Sequence, residues 1–148
     1  MHIKDILSQA NVVSLARPPE KDRLLQDLSK QAAAAVQLAP ALVSGEIARR
    51  EQLGSTGVGS GIAIPHARIE GVTKAFGVMA RLEKSIDFGA IDGSPVDIVF
   101  LLLLPTRSQG EQLTALACVT RQLRDQKVAA AIRAAKNISE VYAAVSTN

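Results

Sequence analysis

Apolar positions recur at helical spacing in residues 20–38, where Leu24, Leu25, Leu28, Ala32 and Ala35 share a face and charges fall between them. Pro18-Pro19 precede this segment and Pro40 interrupts it. The pattern predicts a helix from Glu20 to Leu38 and a second from about Ala41 to Leu53, with Leu42, Ile47 and Ala48 as its apolar side. Gly54 is suited to end that helix. Three apolar runs then lose the helical period: Gly61 to Pro65, Ala75 to Leu82 and Val96 to Leu104. All three read as strands, and the last is almost continuously apolar, as expected of a central strand buried on both faces. Gly89, Asp92-Gly93 and Pro95 supply turns before it. Beyond it, Ser108-x-x-Glu111 forms a capping box opening a helix to about Arg124. Asp125 caps a helix from Gln126 to Ala135, and Asn137-x-x-Glu140 caps the last, Ile138 to Val145. At the other end, Ile3 to Ser8 reads as a short helix and Val12 to Leu15 as a strand. There is no repeat, low-complexity tract or linker. Strands in mid-chain with helices at both ends predict one α/β domain over residues 1–148, a mixed β-sheet flanked by helices.

Composition narrows the classes. At 148 residues with 47% hydrophobic, the chain can build a core and is not disordered. The formal charge of +3, from 17 basic and 14 acidic residues, is too mild to suggest a nucleic-acid partner. Phe76, Phe88, Phe100 and Tyr142 are the only aromatics, so no basic surface interleaved with aromatic rings is available either. Cys118 is the single cysteine and lies in an apolar helical stretch, which predicts a buried structural thiol. Met1 to Asp5 lacks a signal peptide's basic and apolar regions, and the run Ile98 to Leu104 is far too short to span a bilayer. The expectation is a soluble cytoplasmic protein without membrane insertion.

The chemistry concentrates in residues 50–68. Here a charged helix end, Arg50-Glu51, is followed by Ser55, Thr56 and the glycines Gly54, Gly57, Gly59 and Gly61, and then by the apolar run closing in Pro65-His66. The only other histidine is His2. A neutral imidazole is a nucleophile near pH 7, and glycines let backbone N–H groups approach phosphate oxygens. His66 is therefore the candidate phosphoryl acceptor, placed at a strand end with Pro65 fixing the backbone before it. Ser55 and Thr56 stand at the far end of the glycine loop, able to fold back towards it. Arg50 and Arg68 are candidate forked donors to a dianionic phosphate. The structural alternatives are a satisfied histidine, a mobile glycine connection and solvated arginines. Glu51 reads as a surface residue or a partner for one arginine. Arg121, Arg124, Lys127, Arg133 and Lys136 read as solvated helix faces.

Other chemistries fit less well. No Gly-Lys-Ser/Thr follows the glycines, and Ile64 occupies the third glycine position of a dinucleotide fingerprint. One internal histidine and a distant cysteine do not make a metal site. Ser55, Ser60, Asp87, Asp92 and Asp97 leave a Ser–His–Asp hydrolase open, but no Gly-x-Ser-x-Gly elbow supports it. No cofactor is required.

The segment Gly54-Ser55-Thr56-Gly57-x-Gly59-x-Gly61-Ile62-Ala63-Ile64-Pro65-His66 closely resembles the active-site segment of the fructose/mannitol-type IIA proteins of the bacterial phosphotransferase system. Phe88-x-x-Ile91-Asp92-Gly93-x-Pro95-Val96-Asp97, Pro105 and Glu111-Gln112-Leu113…Leu116 extend the resemblance over nearly the whole chain. It is nearest to the nitrogen-regulatory IIA proteins, which stand alone without sugar-translocating domains. The resemblance implies a three-layer sandwich and phosphorylation of His66 through Nε2 by a histidine phosphocarrier protein. It also implies Arg50, Ser55 and Thr56 near the phosphoryl group, and signalling to targets such as transporters or sensor kinases. Gln112 stands where the family usually has a second histidine close to the first. It can donate an amide hydrogen bond but cannot become a cation. Two rival readings are a sugar-specific IIA component passing phosphate to a transporter's IIB domain and an interaction module with a vestigial site.

Overall fold

The computed structural model describes residues 1–148. Short 3-10 turns at Ile3–Asp5 and Gln9–Asn11 lead into β1 (Val12–Leu15), α1 (Lys21–Val36) and α2 (Pro40–Gln52). Three short strands follow, β2 (Gly57–Gly59), β3 (Ile62–Ala63) and β4 (His66–Arg68), and then two long ones, β5 (Phe76–Ile86) and β6 (Val96–Leu104). Three helices close the chain: α3 (Gln109–Arg124), α4 (Gln126–Ala134) and α5 (Ile138–Val145). No helix is long and apolar enough to cross a membrane.

The strands form one mixed sheet in the order β1-β5-β6-β3-β2, with β4 also paired to β6. β6 organises it, running antiparallel to β5 and parallel to β3 and β4. Side chains alternate across a strand, and here both faces are apolar. Ile98, Phe100, Leu102 and Leu104 pack with α3, α4 and α5, while Val99, Leu101 and Leu103 pack with α1 and α2. All seven are at most 1% exposed, and each such burial is worth about 1.5–3 kcal/mol. The result is the expected three-layer α/β sandwich with a mixed sheet between helical layers.

Local chemistry sets the element ends. Gln37 takes a left-handed conformation (φ 59°) and stops α1 two residues short of Leu38, while Pro40 holds the first turn of α2. The three N-caps predicted for the C-terminal helices form: Ser108 accepts from the Glu111 N–H, Asp125 from Lys127 and Val128, and Asn137 from Glu140. The expected N-terminal helix over Ile3 to Ser8 is only a 3-10 turn at Ile3–Asp5, because Ile3, Ile6 and Leu7 are drawn into the core and too few residues remain for an α-helix.

The strand expected over Gly61 to Pro65 is longer and interrupted. β3 and β4 follow β6 in one continuous register, Ile62 opposite Ile98 and His66 opposite Leu102. Pro65 has no N–H for the ladder, and the Ile64 N–H turns instead to the Thr56 carbonyl at 3.0 Å. His66 therefore opens β4 rather than closing a strand.

Arg81, which sequence patterning did not single out, is 6% exposed on β5. It faces no carboxylate. Its guanidinium donates to Ser14 Oγ at 3.0 Å and to the carbonyls of Ile132 (3.0 Å) and Ala135 (2.8 Å) at the C-terminal end of α4. The negative end of the helix dipole and its unpaired carbonyls take the place of an anion. Arg81→Met should therefore orphan these acceptors and cost about 3 kcal/mol of stability in denaturant unfolding. A loss below about 1 kcal/mol would contradict this account of the buried cation.

Candidate functional site

β4 is paired on one side only, to β6, and its open edge lies between α2 and α3. A cleft of about 360 Å³ occupies this edge. Arg49, Arg50 and Leu53 of the α2 end line it, with His66 and Arg68 of β4 and Gln112 and Leu113 of α3.

The position of the imidazole follows from the chain around it. His66 Nδ1 lies 2.7 Å from the Ile64 carbonyl oxygen. A carbonyl only accepts, so Nδ1 carries the proton and Nε2 carries the lone pair. Burial pushes the pKa of His66 below its ordinary value of 6.5, the bond to Ile64 opposes that, Arg50 adds to the lowering and Glu51 opposes it. The ring is neutral at pH 7, with its proton on Nδ1 and its lone pair on Nε2.

Arg50 sits in the last turn of α2, where a cation also suits the helix dipole. One N–H group donates to the Gly54 carbonyl at 2.9 Å, and the rest of the fork is uncommitted within the protein. Gln112 is 7% exposed in the first turns of α3 and donates from Nε2 to the Pro105 carbonyl at 2.7 Å. That leaves a second N–H and the amide oxygen. The structure thus brings Arg50, His66, Arg68 and Gln112 to one cleft.

Ser55 and Thr56 are engaged elsewhere. Ser55 Oγ donates to the Phe88 carbonyl at 3.2 Å and accepts from the Gly57 N–H. Thr56 is 4% exposed, and its hydroxyl donates to Glu51 Oε1 at 2.5 Å. No residue from Gly54 to Gly61 lines the cleft. The glycine run is a short hairpin, β2 to β3, rather than an open connection. Ser60 (φ 58°) and Gly61 (φ 81°) both take positive φ at its turn, the backbone of a tight two-residue hairpin.

Arg133, read as a solvated charge, and Glu51, read as a surface residue or a partner for an arginine, have other roles. Arg133 pairs in a forked manner with Asp97 (2.9 Å) and donates to the Ser60 carbonyl at 2.7 Å, tying α4 to the hairpin turn. The Glu51 side chain is only 7% exposed and pairs with Lys21 at 2.9 Å. Their signal in the sequence was confined to single charges on helices, which does not distinguish a solvated face from a buried partner. Cys118 is buried, as expected, and burial raises its thiol pKa.

Comparison with known proteins gives concordant results. Residues 5–148 match the family model described as phosphoenolpyruvate-dependent sugar phosphotransferase system, EIIA 2. The chain is 38% identical over 146 residues to a nitrogen regulatory protein of Bradyrhizobium diazoefficiens, covering 99% of this chain and 95% of that protein. It is 38% identical over 143 residues to a nitrogen regulatory protein of Escherichia coli K12, covering 96% and 88%. The crystal structure of nitrogen regulatory protein IIA-Ntr from Neisseria meningitidis superposes with a TM-score of 0.90 at 32% identity, covering 97% of this chain and 98% of that one. IIA mannitol from Escherichia coli shares the fold, with a TM-score of 0.77 at 21% identity over 94% of this chain and 98% of that one.

A histidine with a lowered pKa has a calculable effect on stability. As pH falls, the unfolded chain binds the His66 proton before the folded one does. The contribution of neutral His66 is complete above pH 6.5 and is lost as the pH drops from there through the folded value. The His66 ring resonances should therefore titrate below 6.5, and wild-type stability should fall more steeply than that of His66→Gln as the solution is acidified. A midpoint above 6.5 would contradict the desolvated site.

Proposed function

The chain belongs to the EIIA 2 family of the phosphoenolpyruvate-dependent sugar phosphotransferase system, and on that premise we propose that it is a nitrogen-regulatory phosphoryl relay with His66 as its acceptor. The observation that carries this reading is the His66 Nδ1 bond to the Ile64 carbonyl, which leaves Nε2 as the free nitrogen of an imidazole in an arginine-lined cleft.

The reaction follows from those atoms. The Nε2 lone pair attacks the phosphorus of a phosphohistidine on a histidine phosphocarrier protein. A P–N bond forms at His66, the donor's P–N bond breaks, and its electron pair returns to the donor ring nitrogen. The His66 ring becomes cationic, and its Nδ1–H continues to donate to Ile64. Arg50 offsets the charge on the equatorial phosphoryl oxygens, where preorganised donors supply most of the stabilisation. Ser55 and Thr56 serve transfer by fixing the approach to His66, since their hydroxyl protons are held by Phe88 and Glu51. Gln112 takes the place of a second imidazole in the cleft and tunes the lifetime of the phosphoryl state.

Signalling follows from the charge. A dianionic phosphoryl group on a ring that has become cationic changes the net charge by about −1, at a surface where Leu53 (83% exposed) and Leu113 (71% exposed) stand beside three arginines. Phosphorylated and unmodified forms then select different protein targets, of which transporters and sensor kinases are the kinds proposed.

Incubation with phosphoenolpyruvate, the first enzyme and the carrier should add the mass of one acid-labile phosphoryl group. His66→Ala should take up none and His2→Ala should match wild type; undiminished uptake by the His66 variant would refute the assignment. Arg50→Ala should slow transfer about 10²-fold, with partial recovery in Arg50→Lys. Gln112→His adds a group that is partly cationic below about pH 7, so its transfer rate or phosphohistidine lifetime should diverge from wild type on mild acidification. Parallel pH profiles would remove the role given to Gln112.

A further inference from the structure

We propose that Glu51 is a positioning residue for His66, acting from behind the cleft through Thr56 and Ile64; the proposal rests on the phosphoryl-relay reading above. Arg50 and Glu51 are neighbours at the end of α2 but serve opposite sides of it. Arg50 lines the cleft, whereas Glu51 lies with Lys21, Asp22 and Gln26 in the groove between α1 and α2.

The Glu51 carboxylate grips a single residue twice. Oε2 accepts the Thr56 backbone N–H at 2.9 Å, and Oε1 accepts the Thr56 hydroxyl at 2.5 Å. Lys21 Nζ anchors the carboxylate at 2.9 Å and also donates to the Phe88 carbonyl at 2.8 Å, the same oxygen that accepts from Ser55. With both donors held, Thr56 presents its carbonyl to the Ile64 N–H at 3.0 Å. Ile64 then presents its own carbonyl to His66 Nδ1 at 2.7 Å, across a Pro65 whose φ is fixed by its ring. Every link from Lys21 to the imidazole is a hydrogen bond or ion pair.

A buried carboxylate costs several kcal/mol to desolvate, and an apolar side chain would fill the same space at less cost. What an apolar residue lacks is the ability to hold two donors of one residue at a fixed angle. Free imidazole exchanges its proton between the two nitrogens. The clamp selects the tautomer with the proton on Nδ1 and leaves Nε2 free to react.

The tautomer is read directly from long-range ¹H–¹⁵N correlations of the His66 ring, with no phosphoryl donor present. In wild type the Nδ1–H form should dominate. Glu51→Gln retains shape but cannot accept both Thr56 bonds and pair with Lys21. It should raise the Nε2–H population and slow transfer from the carrier by about 10- to 100-fold, as small misplacements of reacting groups do. If Glu51 acted on His66 by charge alone, its loss in Glu51→Gln would lower the His66 pKa without moving the tautomer, so an unchanged tautomer in folded Glu51→Gln would overturn the proposal. If that variant loses its dispersed spectrum, Thr56→Val, which removes only the hydroxyl link, gives the same reading, and an unshifted tautomer there also overturns it. A wild type that takes up no phosphate while its tautomer still depends on Glu51 would sink the relay and leave the positioning role standing.

Discussion

The hydrogen bond between His66 Nδ1 and the Ile64 carbonyl is the constraint on which the site depends. It joins residues two apart in sequence, yet it cannot form unless the chain bends at Ile64-Pro65 and resumes its register along β6. That bend needs a partner for the Ile64 N–H, which Thr56 supplies, and a rigid strand beneath, which β6 supplies. The buried faces of β6 are therefore part of the chemistry. Leu102 and Leu104, opposite His66 and Arg68, hold β4 against the core and leave its other edge facing the cleft.

The helical layers contribute unequally. α2 ends at the cleft with Arg50 exposed to it and Glu51 turned inwards, so one helix end supplies both the cationic wall and the support behind it. α3 begins at the opposite wall, where the Ser108 cap fixes the turn that carries Gln112. α4 does not line the cleft; its Arg133 locks the Ser60 turn and pairs with Asp97 at the start of β6. Arg81 fastens the carbonyls of that same C-terminal end of α4 to β5. The two arginines fix α4 to the sheet at both the hairpin and the strand.

Much of this was legible from periodicity and local chemistry. β6 announced itself as an unbroken apolar run, and Ser108, Asp125 and Asn137 capped the helices they precede, because both signals are local and have few alternatives. His66 stood out as the only internal histidine, beside a proline and a hydroxyl-bearing glycine run. What could not be read was the direction of side chains that act across the fold. Ser55 and Thr56 looked like phosphate donors, yet their protons go to Phe88 and Glu51. Arg133 read as a solvated charge, Glu51 as a surface residue or an arginine's partner, and Arg81 was not singled out, because their partners lie far away along the chain: Ser60 with Asp97, Lys21 on α1, and carbonyls at the end of α4. Burial of a charge is a property of tertiary packing, and no local pattern encodes it.

The central claim is that the local geometry dictates which nitrogen of His66 reacts. The most direct measurement is the regiochemistry of the phosphorylated protein, read from ring ¹⁵N shifts and their coupling to phosphorus. The account predicts a phosphoryl group on Nε2 with the Nδ1 proton retained. Phosphate on Nδ1, or on any residue other than His66, would contradict it.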